Sequence, residues 1–198
     1  MAMNRIGSIK RATGETDIKV KISLEGQGLL TGKTGVGFLD HMLELFVKHS
    51  SCDMEISAMG DLHVDSHHLT EDLGICIGKA IKEALGDKKG IKRYGTSYVP
   101  MDEALVRVVV DFSGRSFLAY RVGELKETVG DFDTELVEEF LRALSVYGGI
   151  TIHVDKLAGY NTHHIIEGIF KALARSLSAA WDINAGQTSV LSTKGVLE

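Results

Sequence analysis

Apolar and polar residues alternate in two segments of the chain that lie almost ninety residues apart. In residues 15–24 the apolar positions are Ile18, Val20, Ile22 and Leu24. This alternation is typical of a strand with one buried face. Residues 103–112 repeat the segment in a more continuously apolar form, and we expect that second strand to be more buried.

Each of these strands is followed by the same series of elements. Residues 38–49 and 132–144 have the spacing of amphipathic helices, and residues 54–58 and 150–154 read as short strands. A long helical segment then closes each copy. The pattern predicts an α+β fold made by internal duplication, in which each half packs two helices on one face of a mainly antiparallel sheet.

We assign the first α+β repeat to residues 1–90 and the second to residues 91–198, within one compact unit. Ser66 and Thr162 stand at the starts of the two long helices, where their hydroxyl groups would serve as N-caps. Gly86 is suited to the C-cap of the first long helix.

The composition excludes several classes of protein. The chain has 198 residues, 44% of them hydrophobic, which is enough for a core of its own. A net charge of −5 and a pI near 5.9 give no basic surface for nucleic acid or an acidic membrane. No apolar run is as long as a membrane span, and neither cysteine belongs to a CxxC motif, so we expect a cytoplasmic protein with reduced thiols. We expect Cys76 to be buried.

A short motif, HHxxE, stands at the start of both long helices. Its residues are His67, His68 and Glu71 in the first copy and His163, His164 and Glu167 in the second. Residues four apart share one face of a helix, whereas the middle histidine points about 100° away. Each motif therefore presents two metal ligands in one direction and a third in another. Imidazole and carboxylate together favour Mn, Fe, Zn, Co or Ni over Ca or Mg.

Two further histidines extend this set of possible ligands. His41 lies in the first predicted helix and His153 in the second copy's short strand. Six histidines and two glutamates are enough for two sites of about four protein ligands each, with positions left open for a substrate. Asp40 is placed to orient His41. We expect His49 and His63 to be structural or surface residues.

Six segments of the chain resemble the signatures of the imidazoleglycerol-phosphate dehydratase family, enzymes of histidine biosynthesis. They are residues 38–43, 60–72, 100–105, 111–115, 157–167 and 192–197. The similarity runs from about Arg5 to Glu198, in the family's order. It implies two ribosomal S5 domain 2-like halves, two Mn²⁺ ions per active site, and a large octahedral homo-oligomer whose active sites form between subunits.

The resemblance also implies a role for individual residues. The implied metal ligands are His41, His67, His68, Glu71, His153, His163, His164 and Glu167. The implied catalytic carboxylates are Glu15, Glu71 and Glu167, and Glu15 would be the acid/base beside the substrate diol. The implied substrate-binding residues are Glu15 together with Arg93, Arg115, Lys171, Ser192, Thr193 and Lys194. Asp102 and Glu103 are further candidates for the acid/base. Leu45 departs from a polar residue that some relatives carry.

The implied reaction converts imidazoleglycerol phosphate to imidazole-acetol phosphate and water. Two other readings of the residues stay open. A dinuclear metallohydrolase would also use histidine and carboxylate ligands, although such sites usually bridge two metals with a carboxylate. A non-enzymatic metal-binding protein would explain the histidines but not the basic residues Arg93, Arg115, Lys171 and Lys194. The acidic pI disfavours an RNA-binding module.

Overall fold

The first half of the chain forms a four-stranded sheet with helices on one side. The computed structural model describes residues 5–197. The elements of the first half are β1 (Ile6–Ala12), β2 (Thr16–Ser23), β3 (Leu30–Thr31), α1 (Gly37–Ser50), β4 (Asp53–Gly60) and α2 (His67–Leu85). The strand order is β1-β2-β4-β3, and only β3 runs parallel to its neighbour.

The second half repeats this arrangement with one addition. Its elements are β5 (Tyr94–Met101), β6 (Ala104–Asp111), β7 (Phe117–Arg121), β8 (Thr128–Val129), β9 (Phe132–Asp133), α3 (Leu136–Gly148), β10 (Thr151–Ala158) and α4 (Thr162–Trp181). The order β5-β6-β10-β7 again has one parallel edge strand. The addition is the β8–β9 hairpin. The predicted α+β duplication with mainly antiparallel sheets is confirmed.

Two details of the sequence-based assignment differ from the structure. The helix predicted from residue 132 begins only at Leu136, because Phe132 and Asp133 belong to the β8–β9 hairpin. Strands β1, β3, β5 and β7 were not predicted. Glycine is the only fully buried residue of β1, and the buried face of β5 carries Gly95, Ser97 and Val99. Buried faces made of such small residues give a weak hydrophobic alternation.

The helices pair across the two halves. Helix α1 of the first half packs on α4, and α3 of the second half packs on α2. A single hydrophobic core therefore contains residues of both halves, from Ile18 on β2 to Trp181 at the end of α4. This exchange brings the side chains of α1 close to the start of α4. None of the helices in residues 5–197 could span a membrane.

Two glycines set how closely the long helices lie on their sheets. A Cβ atom on Gly7 of β1 would lie 1.9 Å from the Ala80 carbonyl oxygen of α2, and one on Gly95 of β5 would lie 1.8 Å from the Ser176 carbonyl oxygen of α4. Any larger residue would push the helix away. The two halves therefore use the same close approach, which fixes the axis of each long helix and the position of the HHxxE motif at its start.

Both cysteines are free and buried, as expected for Cys76. Burial raises the pKa of the Cys52 thiol, and that of the Cys76 thiol, to about 11. The two thiols are therefore packing groups rather than thiolate ligands or nucleophiles.

Candidate metal centre

The two long helices, which carry the HHxxE motifs in their first turns, are capped at their N-termini in different ways. Ser66 is the N-cap of α2 but makes no capping hydrogen bond with its side chain; instead the Asp65 carboxylate accepts from the His67 amide at 2.7 Å. The cap predicted at Thr162 is wrong, because Thr162 is the first helical residue and Asn161 is the cap. The Asn161 side chain accepts from the amides of His163 and His164. Gly86 is the C-cap of α2, as predicted.

Three of the predicted ligands meet in one cluster. The Glu167 Oε2 atom lies 3.2 Å from His163 Nε2 and 3.5 Å from His41 Nε2. The ligand atoms of these three residues all lie within 4.8 Å of one another. His163 and Glu167 are four apart on α4, whereas His41 comes from α1 of the other half. Within residues 5–197 this is the only group of three histidine, cysteine or carboxylate ligands at such distances.

Glu167 is held as a carboxylate at the centre of this cluster. Its side chain is only 9% exposed, and its Oε1 atom accepts a hydrogen bond from Lys171 Nζ. Burial raises the pKa of Glu167, but Lys171 and the two histidines lower it by more, so the net pKa lies below its usual value. The ion pair occupies Oε1 and leaves Oε2 facing both imidazoles. Oε2 is therefore the oxygen that a shared cation would bind.

His68 lies in a separate group near the β1–β2 turn. Its Nδ1 atom is 3.0 Å from Asp61 Oδ2, and its Nε2 atom is 3.7 Å from Glu15 Oε1. The hydrogen bond to Asp61 raises the pKa of His68 and lowers that of Asp61. Glu15 stands in the turn that precedes β2, where its side chain is 55% exposed. The predicted acid/base residue is therefore beside a predicted metal ligand.

His164 has matching surroundings in the second half. Its Nδ1 atom is 2.8 Å from Glu103 Oε2, and its Nε2 atom is 3.8 Å from Asp102 Oδ2. The other Glu103 oxygen accepts from the amides of Tyr160 and Asn161. The His164 contact and these amides lower the pKa of Glu103 to about 2. Glu103 is thus fixed as an anion, whereas Asp102 is exposed and has a left-handed backbone, with φ +48°.

The remaining predicted ligands do not join a cluster within the described part of one chain. The rings of His67 and His68 lie 6.0 Å apart between centroids, and Glu71 follows on the same helix. His153 lies on β10, where its ring is 5.7 Å from that of Phe117. Arg121 Nη2 is 3.3 Å from His153 Nδ1. His67, Glu71 and His153 are all partly exposed, so groups from outside the chain can reach them.

A cationic pocket lies at the C-terminal segment of the chain. It has a volume of about 560 Å³, and its walls include five of the predicted substrate-binding residues: Arg93, Arg115, Ser192, Thr193 and Lys194. Arg93 is already engaged, because its guanidinium group binds both oxygens of Asp111 and the Leu191 carbonyl. Arg115 and Lys194 are therefore the pocket's available cations. Lys171 is not part of this pocket, since it pairs with Glu167.

The two histidines expected to be structural differ in their surroundings. His63 is exposed. His49 lies at the end of α1 and is partly buried, and its pKa is lowered by this burial and by the nearby charges of Lys171 and Arg175. Asp40 accepts from the amide and hydroxyl groups of Thr34, so it fixes the loop before α1.

The sequence did not indicate that Asp61 contacts His68. Asp61 lies seven residues before His68, so helical spacing does not connect them, and the turn that joins them forms only in the folded chain. The available signal was its place in the segment 60–72, which contains four acidic residues and three histidines.

The chain is similar to known dehydratases over nearly its whole length. The model of the imidazoleglycerol-phosphate dehydratase family matches residues 34–177. The imidazoleglycerol-phosphate dehydratase of Heliobacterium modesticaldum is 56% identical over 98% of this chain and 100% of its own length. The imidazoleglycerol-phosphate dehydratase of Clostridium botulinum is 54% identical over 97% of this chain and 98% of its own length.

Solved structures agree with this similarity. The crystal structure of imidazoleglycerol-phosphate dehydratase from Staphylococcus aureus matches with a TM-score of 0.82 and 48% identity, over 90% of this chain and 99% of that chain. The enzyme from Pyrococcus furiosus matches with the same TM-score of 0.82 and 40% identity, over 96% of this chain and 100% of that chain.

Proposed function

The chain belongs to the imidazoleglycerol-phosphate dehydratase family, a family of hydro-lyases in histidine biosynthesis, and we propose that it catalyses the Mn²⁺-dependent dehydration of imidazoleglycerol phosphate in the cytoplasm. The product would be imidazole-acetol phosphate. The observation that carries the metal dependence is the cluster of His41, His163 and Glu167.

This cluster fits a transition-metal ion. Ligand atoms about 2.1 Å from a metal lie about 3 Å apart when they are neighbours in its coordination shell. The Glu167 oxygen is 3.2 and 3.5 Å from the two Nε2 atoms, so a small movement would bring all three around one cation. Two imidazoles and one carboxylate suit Mn²⁺, Fe²⁺ or Zn²⁺ better than Ca²⁺ or Mg²⁺. Lys171, which binds the other oxygen of Glu167, would fix the ligand's orientation.

We infer that further ligands come from a neighbouring subunit. Three protein ligands leave an octahedral metal incomplete. The predicted ligands His67, His68, Glu71, His153 and His164 are partly exposed in the single chain. A homo-oligomer that joins these surfaces to the cluster would complete two metal sites per active site. The large octahedral assembly expected from the family resemblance is one way to repeat that contact.

The cationic pocket would hold the substrate phosphate. Guanidinium and ammonium groups are the usual partners of phosphate, and Arg115 and Lys194 are the cations of this pocket that Asp111 does not neutralise. Ser192 and Thr193 add hydroxyl groups on the same wall. Contacts with the phosphate, which lies away from the reacting carbons, would orient the diol for the reaction.

Glu15 is our candidate for the acid/base at the diol. The reaction removes the hydroxyl group from the carbon next to the ring and a proton from the following carbon, and the enol then becomes the ketone. A bound cation would supply Lewis acidity at the imidazole ring and a template for the substrate. Glu15 is exposed and lies 3.7 Å from His68, so it can reach a substrate held at that ligand and move a proton there.

The rival functions are less consistent with these positions. A dinuclear metallohydrolase would use a carboxylate to bridge two metals, but the contacts of Glu167 join two imidazoles and a lysine. A non-enzymatic metal-binding protein would have no use for the cationic pocket.

An activity assay tests the proposal directly. The purified protein is stripped of metal with a chelator and supplied with imidazoleglycerol phosphate, with and without added Mn²⁺. We expect no imidazole-acetol phosphate without metal and turnover after Mn²⁺ is restored. The His163→Ala variant should stay inactive when Mn²⁺ is added, whereas His63→Ala should recover. Equal turnover by the stripped and the reloaded protein would contradict metal dependence.

A further inference from the structure

Asp61 and Glu103 make the same contact in the two halves of the molecule. Each carboxylate lies against the Nδ1 atom of the middle histidine of an HHxxE motif, at 3.0 Å from His68 and at 2.8 Å from His164. The first copy of this contact uses a residue directly after β4, and the second uses a residue of the β5–β6 turn. The positions are not equivalent in the repeat, so the duplication alone does not account for the shared contact.

The contact determines which ring nitrogen is free. An ionised carboxylate only accepts hydrogen bonds, so the Nδ1 atom beside it must carry the proton. In the neutral imidazole the lone pair is then on Nε2. The Nε2 atoms of His68 and His164 face Glu15 at 3.7 Å and Asp102 at 3.8 Å, on the outer side of each ring.

Glu103 is held in place independently of His164. Its Oε1 atom accepts from the Asn161 amide at 2.8 Å and from the Tyr160 amide at 3.3 Å, while Oε2 faces the ring. The carboxylate therefore has one oxygen fixed by the backbone before α4 and one reserved for the histidine. The His164 ring would lose this contact if it rotated or if its proton moved from Nδ1 to Nε2.

We propose that Asp61 and Glu103 are positioning residues that hold His68 and His164 in the Nδ1–H tautomer and present their Nε2 atoms to the metal ions. This rests on the proposed metal-dependent function. A carboxylate behind a ligating imidazole fixes the ring and strengthens the ligand, and losing it typically weakens metal binding about 10–100-fold.

The hydrogen bond at the Nδ1 atom of His153 runs in the opposite direction. Arg121 can only donate, so in the metal-free chain the Nδ1 atom of His153 accepts and its Nε2 atom carries the proton in the neutral ring. A metal could bind this Nε2 atom only after Arg121 releases Nδ1 and the proton moves there. This difference gives the experiment an internal reference, because substitutions at Asp61 or Glu103 should leave the His153 ring unchanged.

Glu103→Gln is the decisive variant. The backbone amides of Tyr160 and Asn161 need an acceptor, so the glutamine oxygen should stay with them and its NH₂ group should face His164. The backbone contact is kept, but Nδ1 must now accept and Nε2 becomes N–H. We expect Mn²⁺ affinity at the site containing His164 to fall about 10–100-fold. Asp61→Ala should weaken the site containing His68 in the same way, and Glu44→Gln, an exposed change on α1, is the control.

Two measurements decide the outcome. Mn²⁺ affinity is measured by electron paramagnetic resonance, which detects the free ion. The ring tautomers are measured by solid-state NMR of histidine-labelled, metal-free protein at pH 9, because this method works for particles of any size. We expect reduced affinity and an Nε2–H signal for His164 in Glu103→Gln. Parental affinity or an unchanged tautomer in that variant would overturn the proposal. If the parent protein binds no Mn²⁺, the proposed function fails, whereas the tautomers still test the positioning roles.

Discussion

The rings of His41 and His163 lie 6.1 Å apart between centroids although they belong to opposite halves of the duplication. The Nε2 atoms of both face the same oxygen of Glu167. The first-half helix α1 therefore adds a candidate ligand to the motif of the second half. The candidate metal centre depends on the packing of α1 against α4, and neither half forms it alone.

Loss of a ring from this cluster should lower the amount of bound metal. We expect His41→Ala and His163→Ala to retain less Mn²⁺ than the parent after dialysis, because each variant leaves only two of the three ligands in place. His63→Ala changes an exposed histidine outside the cluster and is the matched control. Elemental analysis of the purified variants measures the effect, and parental metal content in His163→Ala would exclude this cluster as a metal site.

Removal of metal should weaken the assembly as well as the activity. If ligands converge from neighbouring subunits, the free energy of metal binding contributes to association. We expect a chelated sample to show a smaller particle by light scattering and to return to the larger one when Mn²⁺ is added. A large particle of constant size throughout this cycle would mean that the metals do not join the subunits.

The cationic pocket should contribute mainly to substrate binding. Arg115→Ala removes an available cation and should weaken binding by roughly 1.5–3 kcal/mol, the range for a hydrogen bond to a charged group. Its effect should appear in KM more than in kcat. Arg142→Ala, which removes an arginine of α3 paired with Glu138, is the control. Steady-state kinetics and direct titration with substrate distinguish the two, and an unchanged KM in Arg115→Ala would place the phosphate elsewhere.

Glu15 should act on the chemical step. Glu15→Gln keeps the shape of the side chain but removes its ability to exchange a proton, so kcat should fall about 10²–10⁴-fold. Metal content and substrate affinity should stay near the parental values, because Glu15 is not in the His41 cluster or the cationic pocket. Rapid kinetics at saturating substrate measure the loss. A variant with parental kcat would remove Glu15 from the mechanism and make Asp102 the next candidate.

Asp155 should make the protein sensitive to acid. Hydrogen bonds from Arg121 and Arg107 on the neighbouring strands lower the pKa of this nearly buried carboxyl. A lowered pKa in the folded state means that the stabilisation is complete above the unfolded-state pKa of about 3.9 and is lost as the pH falls through the folded-state pKa. Asp155→Asn should therefore cost roughly 1–3 kcal/mol at pH 7 and less at low pH.

Urea denaturation at pH 7 and at pH 3 measures this difference. Asp131→Asn is the control, since Asp131 is exposed and makes no ion pair with the residues that the structure describes. Equal losses of stability for Asp155→Asn at both pH values would show that the ion pairs do not cause the acid sensitivity.

The elements with a strong hydrophobic pattern can be predicted from the sequence alone. Strands β2 and β6, the four helices and the duplication follow from positions such as Ile18, Val20 and Ile22, which alternate because one face of the sheet is buried. It also placed the HHxxE motifs at the helix starts, since spacing of four residues is a local property of a helix. Strands β1 and β5 were not predicted because their buried faces are made of glycine and other small residues.

Which candidate ligands come together depends on how the helices of the two halves pack. Nothing in the sequence connects His41 to Glu167 in particular, because the two residues lie in different halves and meet through the packing of α1 on α4. Asp61 and Glu103 likewise reach their histidines through turns at strand ends. Contacts between residues far apart in the chain depend on how whole elements pack, whereas helical and strand periodicity records only which side of one element is buried.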